Sequence, residues 1–226
     1  MDAVVVASAI TRSFASRGGA PATHALRGVD LRVAPGEFVA VCGPSGSGKT
    51  TLLHVLAAID TPSAGEVLLA GRDVRTLSCG ARADLRLAHV GLVFSEHNLS
   101  PALSVAENVD LPLALRRLGE AERRRRVTAA LDRTGVAHLA ERFPDTLSSG
   151  EQQRVAVARA IAGAPSIVVA DEPTAHLDST NADALAGLLA DLASHGMAVL
   201  AATHDDRLVA RATRVVRLRD GVVVSA

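Results

Sequence analysis

Short apolar runs divide the chain into three regions with different periodicity. In the first region, up to about residue 71, runs rich in β-branched residues alternate with Gly and Pro. This pattern predicts strands around a single helix over residues 51–58. The predicted strands of this region are 4–6, 31–33, 38–42 and 67–69.

The second region, from about residue 95 to 165, has apolar residues at helical spacing. Pro112 lies in its first helix and is expected to kink or end that helix. The third region again contains continuous apolar runs, with a predicted helix over 181–195 between the first two runs. Such runs are typical of parallel strands buried on both faces of a sheet. The predicted strands are 167–170, 198–201 and 215–216. Together the three regions predict an α/β fold.

The composition fits one folded domain without a nucleic-acid partner. A chain of 226 residues that is 48% hydrophobic and 21% charged can bury a full core. The net formal charge is zero, aromatic residues make up 2%, and Trp and Tyr are absent, so we expect no direct binding of nucleic acid. The start of the chain has no signal-peptide pattern, and no apolar run approaches the roughly 18 residues of a membrane span. Cys42 and Cys79 have no metal-ligand spacing, and a reduced compartment suits them. We therefore expect a cytoplasmic chain.

The only lysine of the chain marks a phosphate-binding loop. Of 24 basic residues all but Lys49 are arginine, and Lys49 lies in the pattern G-x-x-x-x-G-K-[S/T]. A compact ammonium on a flexible stem reaches terminal phosphates in a way that a planar guanidinium does not. The glycines let backbone N–H groups converge on an anion, and the Thr50 hydroxyl is expected to bind Mg²⁺. The predicted nucleotide-binding residues here are Gly43, Pro44, Ser45, Gly46, Ser47, Gly48, Lys49, Thr50 and Thr51.

Two carboxylates follow directly on the predicted strand 167–170. Asp171 is expected to hold Mg²⁺, and Glu172, one residue further, to polarise an attacking water. An acidic turn after a strand is common by itself. At this distance behind a phosphate loop, it indicates a metal and water site for the bound nucleotide. The two motifs together indicate a nucleoside triphosphatase.

Residues 147–154 make the interpretation more specific. They read Leu-Ser-Ser-Gly-Glu-Gln-Gln-Arg and resemble the Leu-Ser-Gly-Gly-Gln signature of the ATP-binding cassette (ABC) ATPases. The resemblance covers essentially the whole chain. It implies a single ABC ATPase domain over 1–226, with a P-loop NTPase (RecA-like) core and an N-terminal antiparallel β subdomain. The core is expected over 1–94 and 166–226, and an inserted α-helical lobe that carries the signature over 95–165.

The resemblance also implies roles for individual residues, with ATP and Mg²⁺ as cofactors. Phe14 matches the aromatic residue that stacks on adenine, and Asp178 lies in the loop that communicates across the dimer. His204 matches the switch histidine that reads the γ-phosphate and joins Lys49 and Glu172 as a catalytic residue. Nucleotide contacts from the opposite subunit are expected at Ser148, Ser149, Gly150 and Glu151.

Three residues depart from the family pattern. Ser95 replaces the glutamine that contacts Mg²⁺ and the attacking water, and its shorter side chain is expected to reach them only through water. Ser149 replaces the first signature glycine, where little room is available for a side chain. Glu151 for Gln is a milder change. We expect hydrolysis to persist at a slow basal rate.

The stretch 93–113 is similar to cassettes that serve lipoprotein release, macrolide export and cell division. This similarity implies two partners, a second ABC subunit (identical or different) and a separate membrane permease whose coupling helix sits in a groove of the lobe. The chain would then lie peripherally on the inner face of the cell membrane and drive an exporter or a mechanotransmission complex. The alternative is a soluble ABC protein that acts as an ATP-gated binding or assembly module.

Other phosphate-loop proteins fit the chain less well. Guanine-specific GTPases read the base with Asn-Lys-x-Asp, which cannot occur because Lys49 is the only lysine. Nucleotide kinases have no counterpart to 147–154. The arginines at 116–117 and 123–126 suggest either contact with anionic lipid or a solvated helix face, and nearby Glu120 and Glu122 favour the solvated face.

Overall fold

The computed structural model describes residues 3–15 and 22–225, which form two β-sheets with helices packed around them. The first sheet is antiparallel and has the strand order β2-β1-β4-β5. Its strands are β1 (Val5–Phe14), β2 (Thr23–Val33), β4 (Ala64–Leu69) and β5 (Arg72–Asp73). The predicted N-terminal antiparallel sheet is therefore present.

The second sheet is parallel except at one edge. Its order is β10-β9-β3-β8-β7-β6, and only β10 runs antiparallel to its neighbour. Its strands are β3 (Phe38–Cys42), β6 (Val90–Phe94), β7 (Ile167–Asp171), β8 (Ala198–Ala202), β9 (Arg214–Arg219) and β10 (Val222–Ser225). Phe94 pairs with Asp171, and Asp171 pairs with Ala202, so three neighbouring strands end at the same level. Parallel strands align their carboxyl ends, and the residues that follow them meet there.

Seven α-helices occur within the described residues. They are α1 (Lys49–Leu56), α2 (Cys79–His89), α3 (Val105–Leu115), α4 (Glu120–Arg133), α5 (Ser149–Ile161), α6 (Ser179–Ser194) and α7 (Asp206–Arg211). One core lies between the antiparallel sheet, α1 and one face of the parallel sheet, and a second lies between the other face, α6 and the helices α3, α4 and α5. In the part of the chain covered by 3–15 and 22–225, no helix combines the length and apolar character needed to cross a bilayer.

Several elements differ from the sequence prediction. Helix α1 begins at Lys49, because the left-handed Gly48 caps it directly after the loop. Pro112 does not end α3, which continues to Leu115. A capping box at Ser104 and the burial of the apolar face of α3 in the lobe core stabilise that helix despite the missing N–H. The proposed division of the chain remains a prediction, and its outer limits, residues 1 and 226, lie outside the described residues.

The arginines of α4 are paired with acidic neighbours. Arg123 contacts Asp110 of α3, Arg124 contacts Glu120, and Arg125 and Arg126 both contact Glu122. These pairs join residues on one helix or on two adjacent helices. They support a solvated helix face, in which positive charge is balanced locally.

Candidate active site

The phosphate loop lies between β3 and α1 and is packed too closely for side chains at two positions. A Cβ at Gly43 would lie 2.1 Å from the Leu218 carbonyl oxygen, and a Cβ at Gly48 would lie 2.4 Å from that of Ala25. Gly48 also has a left-handed φ of +103°. The loop is therefore wedged between β2 and β9, with Pro44, Ser45 and Gly46 on its exposed side.

The Lys49 ammonium lies inside this loop, and the side chain is only 8% exposed. Its Nζ donates to the carbonyl oxygens of Gly43 at 2.8 Å and Pro44 at 3.3 Å. Nζ also lies 3.0 Å from Nε2 of His204. The loop thus holds a positive charge at the position where it can face an anion.

Glu172 approaches the same point from the end of β7. Its Oε1 is 3.3 Å from His204 Nε2 and 4.0 Å from Lys49 Nζ, and its Oε2 accepts from the His204 backbone N–H at 3.3 Å. Glu172 has φ = +45°, a left-handed conformation that is uncommon outside glycine. The structure therefore brings together Lys49, Glu172 and His204, which come from three separate parts of the chain.

Oxygen ligands for a cation are present beside this cluster. Oδ1 of Asp171 and Oγ of Ser47 are buried, and neither has a hydrogen-bond partner among the described residues. Buried oxygens are rarely left unpaired, and a carboxylate oxygen is a preferred ligand of Mg²⁺. Thr50 is exposed on the first turn of α1, and Ser95 follows the strand end that pairs with Asp171. The donor set fits a divalent cation bound with nucleotide phosphates.

The signature segment begins α5 with a reciprocal cap. The Ser148 hydroxyl accepts from the Glu151 N–H at 3.3 Å, and Oε2 of Glu151 accepts from the Ser148 N–H at 2.8 Å. Hydrogen bonding from Ser148 lowers the pKa of the Glu151 carboxyl. Both Glu and Gln can complete such a capping box. This explains why Glu151 is a mild departure from the family pattern.

The other signature residues pack against the start of α6. The Ser149 hydroxyl donates to the His176 carbonyl at 3.0 Å. A Cβ at Gly150 would lie 2.3 Å from Oδ1 of Asn181. Asn181 in turn donates to the N-cap residue Asp178 through its backbone N–H, at 2.9 Å, and its side chain, at 2.6 Å. These bonds lower the pKa of the Asp178 carboxyl.

The Ser149 hydroxyl is thus hydrogen-bonded within its own chain, which the sequence did not indicate.

The predicted site residues thus fall into two groups. One surrounds the phosphate loop, and the other joins the start of α5 to the segment before α6. Within residues 3–15 and 22–225, no hydrogen bond connects Ser148, Ser149 or Glu151 to the loop 43–50. The signature group is therefore not part of the cluster around the phosphate loop of its own chain.

Phe14 lies at the end of β1 and is 42% exposed. It pairs with Thr23 of β2, two residues before Ala25, whose carbonyl borders Gly48. The guanidinium carbon of Arg12 lies 4.6 Å from the Phe14 ring centroid, a cation–π arrangement. Phe14 thus lies at the end of the antiparallel sheet that is next to the phosphate loop. Arg12 was not predicted as a neighbour of this ring.

Two polar residues of α5 were also missed. Arg154 donates to Oδ1 of Asn181 at 3.2 Å, which ties α5 to α6. Gln153 is 1% exposed, and its amide Nε2 donates to two backbone carbonyls, at 2.8 and 3.3 Å. A glutamine two residues before the apolar run that starts at Val155 was the available signal, because a buried amide must find partners.

A groove opens on the surface between α2, β6, α3 and the end of α5. It encloses about 650 Å³ and is lined mainly by apolar side chains, including those of Leu87, Leu92, Leu111 and Leu115. Leu115 is 72% exposed although it lies in this apolar wall. Exposed apolar patches of this kind commonly mark contacts with another protein.

Comparisons with known proteins give similar sequences over nearly the whole chain. The family profile described as ABC transporter matches residues 26–175. The macrolide export ATP-binding/permease protein MacB of Nitrobacter winogradskyi is 43% identical over 216 residues, which are 96% of this chain and 33% of MacB. The pyoverdine export ATP-binding/permease protein PvdT of Pseudomonas savastanoi is 44% identical over 217 residues, with the same coverage of 96% and 33%. The chain therefore spans about a third of the length of these curated relatives.

Solved structures are similar over nearly the whole chain. The dimeric ATP-binding cassette MJ0796 bound to ADP and Pi superposes with a TM-score of 0.89 and 36% identity, covering 98% of this chain and 97% of that one. CbiO1 of Clostridium perfringens, part of the transporter complex CbiONQ, superposes with a TM-score of 0.87 and 31% identity, covering 100% and 88%. The arrangement of the two sheets and the lobe is thus that of ATP-binding cassettes.

Proposed function

Because the chain belongs to the ABC transporter family and is an ATPase cassette of that family, we propose that it drives a membrane permease by binding and hydrolysing ATP. The observation that carries this proposal is the meeting of Lys49, Glu172 and His204 at the phosphate loop, beside the unpaired Asp171 carboxylate. These groups provide a cation for the phosphates, a base for water and ligands for a metal.

Each group has a separate task in hydrolysis. Lys49 and the loop N–H groups bind the β- and γ-phosphates, and the ring of Phe14 stacks on the base. Thr50, Asp171 and Ser95 would hold Mg²⁺, which supplies neutralising charge to the phosphates when bound. Glu172 orients and polarises the attacking water. His204, whose Nε2 lies 3.0 Å from Lys49 Nζ, contacts the terminal phosphate region and reports its state to the end of β8.

The active unit is a dimer. Ser148, Ser149, Gly150 and Glu151 are not bonded to the phosphate loop of their own chain, so they are available to the nucleotide of a second cassette. The similar MJ0796 cassette is dimeric with ADP and Pi, which supports the same arrangement here. Asp178 lies beside the signature through Asn181 and would pass information between the two sites.

The partner of the dimer is a membrane permease. The apolar groove beside Leu111 and Leu115 offers a seat for a partner helix. MacB and PvdT are described as ATP-binding/permease export proteins, and this chain matches a third of their length. We therefore infer that this chain supplies the ATP-binding function and that a permease supplies the transport path. The relatives favour export as the direction. The cassette would then act at the cytoplasmic face of the membrane.

Membrane recruitment tests this proposal. Leu115→Glu places a charge in the groove and should abolish sedimentation of the chain with membranes that contain its permease, while phosphate release from ATP in solution stays within about twofold. Val224→Glu, on the exposed edge strand β10, is the matched control and should sediment normally. If the unmodified chain hydrolyses ATP but does not sediment with any membrane of its source, the chain is a soluble ATPase module and the transport proposal is wrong.

The two serine departures give a second prediction. Ser95→Gln adds an amide that reaches the metal and water, and one hydrogen bond to a charged group contributes about 1.5–3 kcal/mol. Basal ATPase should therefore rise about tenfold if that bond exists mainly in the transition state. Ser149→Gly should raise it less, because it frees space for the opposite nucleotide but also removes the bond to His176.

Steady-state ATPase of both single variants and the double variant, with and without the permease, checks this prediction. If the serines keep the idle enzyme slow, basal turnover rises while stimulation by the permease falls. Unchanged rates in both assays would mean that the serines do not limit hydrolysis.

A further inference from the structure

The buried side chain of Gln153 connects α5 to the ends of two neighbouring strands. One amide N–H of Nε2 points to the Pro173 carbonyl at 2.8 Å and the other to the Phe94 carbonyl at 3.3 Å. Phe94 ends β6 and Pro173 lies two residues beyond β7. The register Phe94–Asp171 places these two ends side by side. A single side chain of the lobe therefore spans the gap between them.

These two carbonyls adjoin the residues that the proposed hydrolysis depends on. The Phe94 carbonyl belongs to the peptide bond that leads into Ser95, and Pro173 directly follows Glu172. Glu172 is held at φ = +45°, and its own carbonyl accepts from the Ala175 N–H at 3.1 Å to close a turn. A left-handed non-glycine residue costs free energy and persists only when its surroundings hold it. The bond from Gln153 to Pro173 is one of the contacts that hold this turn.

The same helix also fixes the segment after Ser95. Arg159, six residues beyond Gln153 on α5, donates to the carbonyl of His97 at 2.8 Å and to that of Asn98. Helix α5 thus contacts the backbone on both sides of Ser95. The serine is too short to link the strand end to the lobe by itself, so in this chain the link is made by side chains that come from α5.

We propose that Gln153 is a positioning residue that sets the place of Glu172 and Ser95 and transmits movement of the lobe to them. This inference rests on the proposed function, in which Glu172 acts on the attacking water. Gln153 touches neither nucleotide nor water in this scheme. It acts by holding two backbone carbonyls, so a shift of α5 relative to the sheet would displace the turn that carries Glu172.

The Gln153 amide can be replaced with little expected effect on stability. Its Oε1 is buried and has no hydrogen-bond partner within the described part of the chain. An apolar residue of the same length removes this unpaired acceptor, which favours folding, and leaves two carbonyls without a donor, which opposes it. The net effect on stability should therefore be small compared with the effect on turnover.

Gln153→Met and Gln153→Glu test the proposal. Gln152→Met is the matched control, because the Gln152 amide also donates to two backbone carbonyls, those of Pro144 and Leu147, which are far along the chain from both strand ends. For Gln153→Met we expect kcat to fall between about tenfold and a hundredfold, the scale of a misplaced catalytic group. ATP affinity should stay within about threefold, because the phosphate loop is untouched. For Gln152→Met we expect kcat within about twofold.

Gln153→Glu provides a readout that a structural role would not move. An ionised carboxylate cannot donate to either carbonyl, whereas a protonated carboxyl donates to one, and burial favours the protonated form. The ratio of the variant's kcat to the wild-type kcat should therefore rise as pH falls from about 8 to about 6. All rates are scaled to the folded fraction from urea unfolding, so the test stands even when one variant is less stable.

The outcomes are distinct. If the wild type hydrolyses ATP, Glu172→Gln does not, and Gln153→Met matches the wild type, then the positioning role is wrong while the proposed function stands. A parallel loss of kcat and ATP affinity in Gln153→Met, or a flat pH ratio in Gln153→Glu, also overturns the positioning role. If the wild type shows no hydrolysis, the proposed function itself fails.

Discussion

Lys49→Ala is expected to abolish ATP turnover and to weaken ATP binding at least about a hundredfold. The ammonium is enclosed by the phosphate loop and bonded to Gly43, Pro44 and His204, so its charge is held where the terminal phosphates bind. Two charge-assisted hydrogen bonds of about 1.5–3 kcal/mol each account for the expected loss. Titration with a fluorescent ATP analogue and a phosphate-release assay measure the two effects.

Lys49→Arg separates the charge of the side chain from its shape. The site is almost closed to solvent, and a planar guanidinium is larger than an ammonium, so the variant should retain charge but not activity. Thermal unfolding of both variants shows whether the loop still folds, since each loses bonds to the loop carbonyls. Native affinity and turnover in folded Lys49→Ala would contradict the assignment of this loop as the nucleotide site.

Glu172→Gln is expected to lower turnover by about 10²–10⁴-fold while ATP still binds. The amide oxygen can still accept from the His204 N–H, so the local geometry is kept, but the charge that polarises water is lost. Because closure on ATP is then not followed by hydrolysis, the chain should accumulate as an ATP-bound dimer. Size-exclusion chromatography with and without ATP measures this accumulation.

The control for this variant is Glu66→Gln, an exposed carboxylate on β4. It should turn over ATP at the native rate and elute like the wild type. If Glu172→Gln behaves in the same way as this control, then Glu172 is not the catalytic carboxylate and another residue near the loop must serve.

Local chemistry made much of the site predictable. Continuous apolar runs such as 38–42 and 167–170 predict buried parallel strands, and the carboxyl ends of such strands converge. Asp171 lies at one of those ends, and Lys49 follows the other across the loop 43–48, so their motifs indicated their position as well as their chemistry. The meeting of Lys49 with His204 spans 155 residues, and only the family resemblance pointed to it.

Other features depend on tertiary contacts that no local pattern encodes. Helix α2 was not predicted from the sequence, and Leu85 is its one buried residue, so the helix contributes little to the apolar core. The bond from Ser149 links the start of α5 to the His176 carbonyl in the segment before α6. The sequence indicated only that a side chain at position 149 would occupy space, and it did not indicate this bond. Pro112 inside α3 shows the reverse case, in which packing and capping outweigh a strong local signal.

The loop after β6 is held in place through its backbone carbonyl oxygens. Gln153 and Arg159 donate to the backbone oxygens of residues 94, 97 and 98, so the path of the loop does not depend on which side chains it carries. His97 and Asn98 have φ values of +58° and +50°, which restrict those two positions to residues that tolerate a left-handed backbone. At its other positions, the loop should accept different side chains without a change in its backbone path. A substitution at position 95 should thus change the reactivity of the site while the backbone of the loop keeps its place.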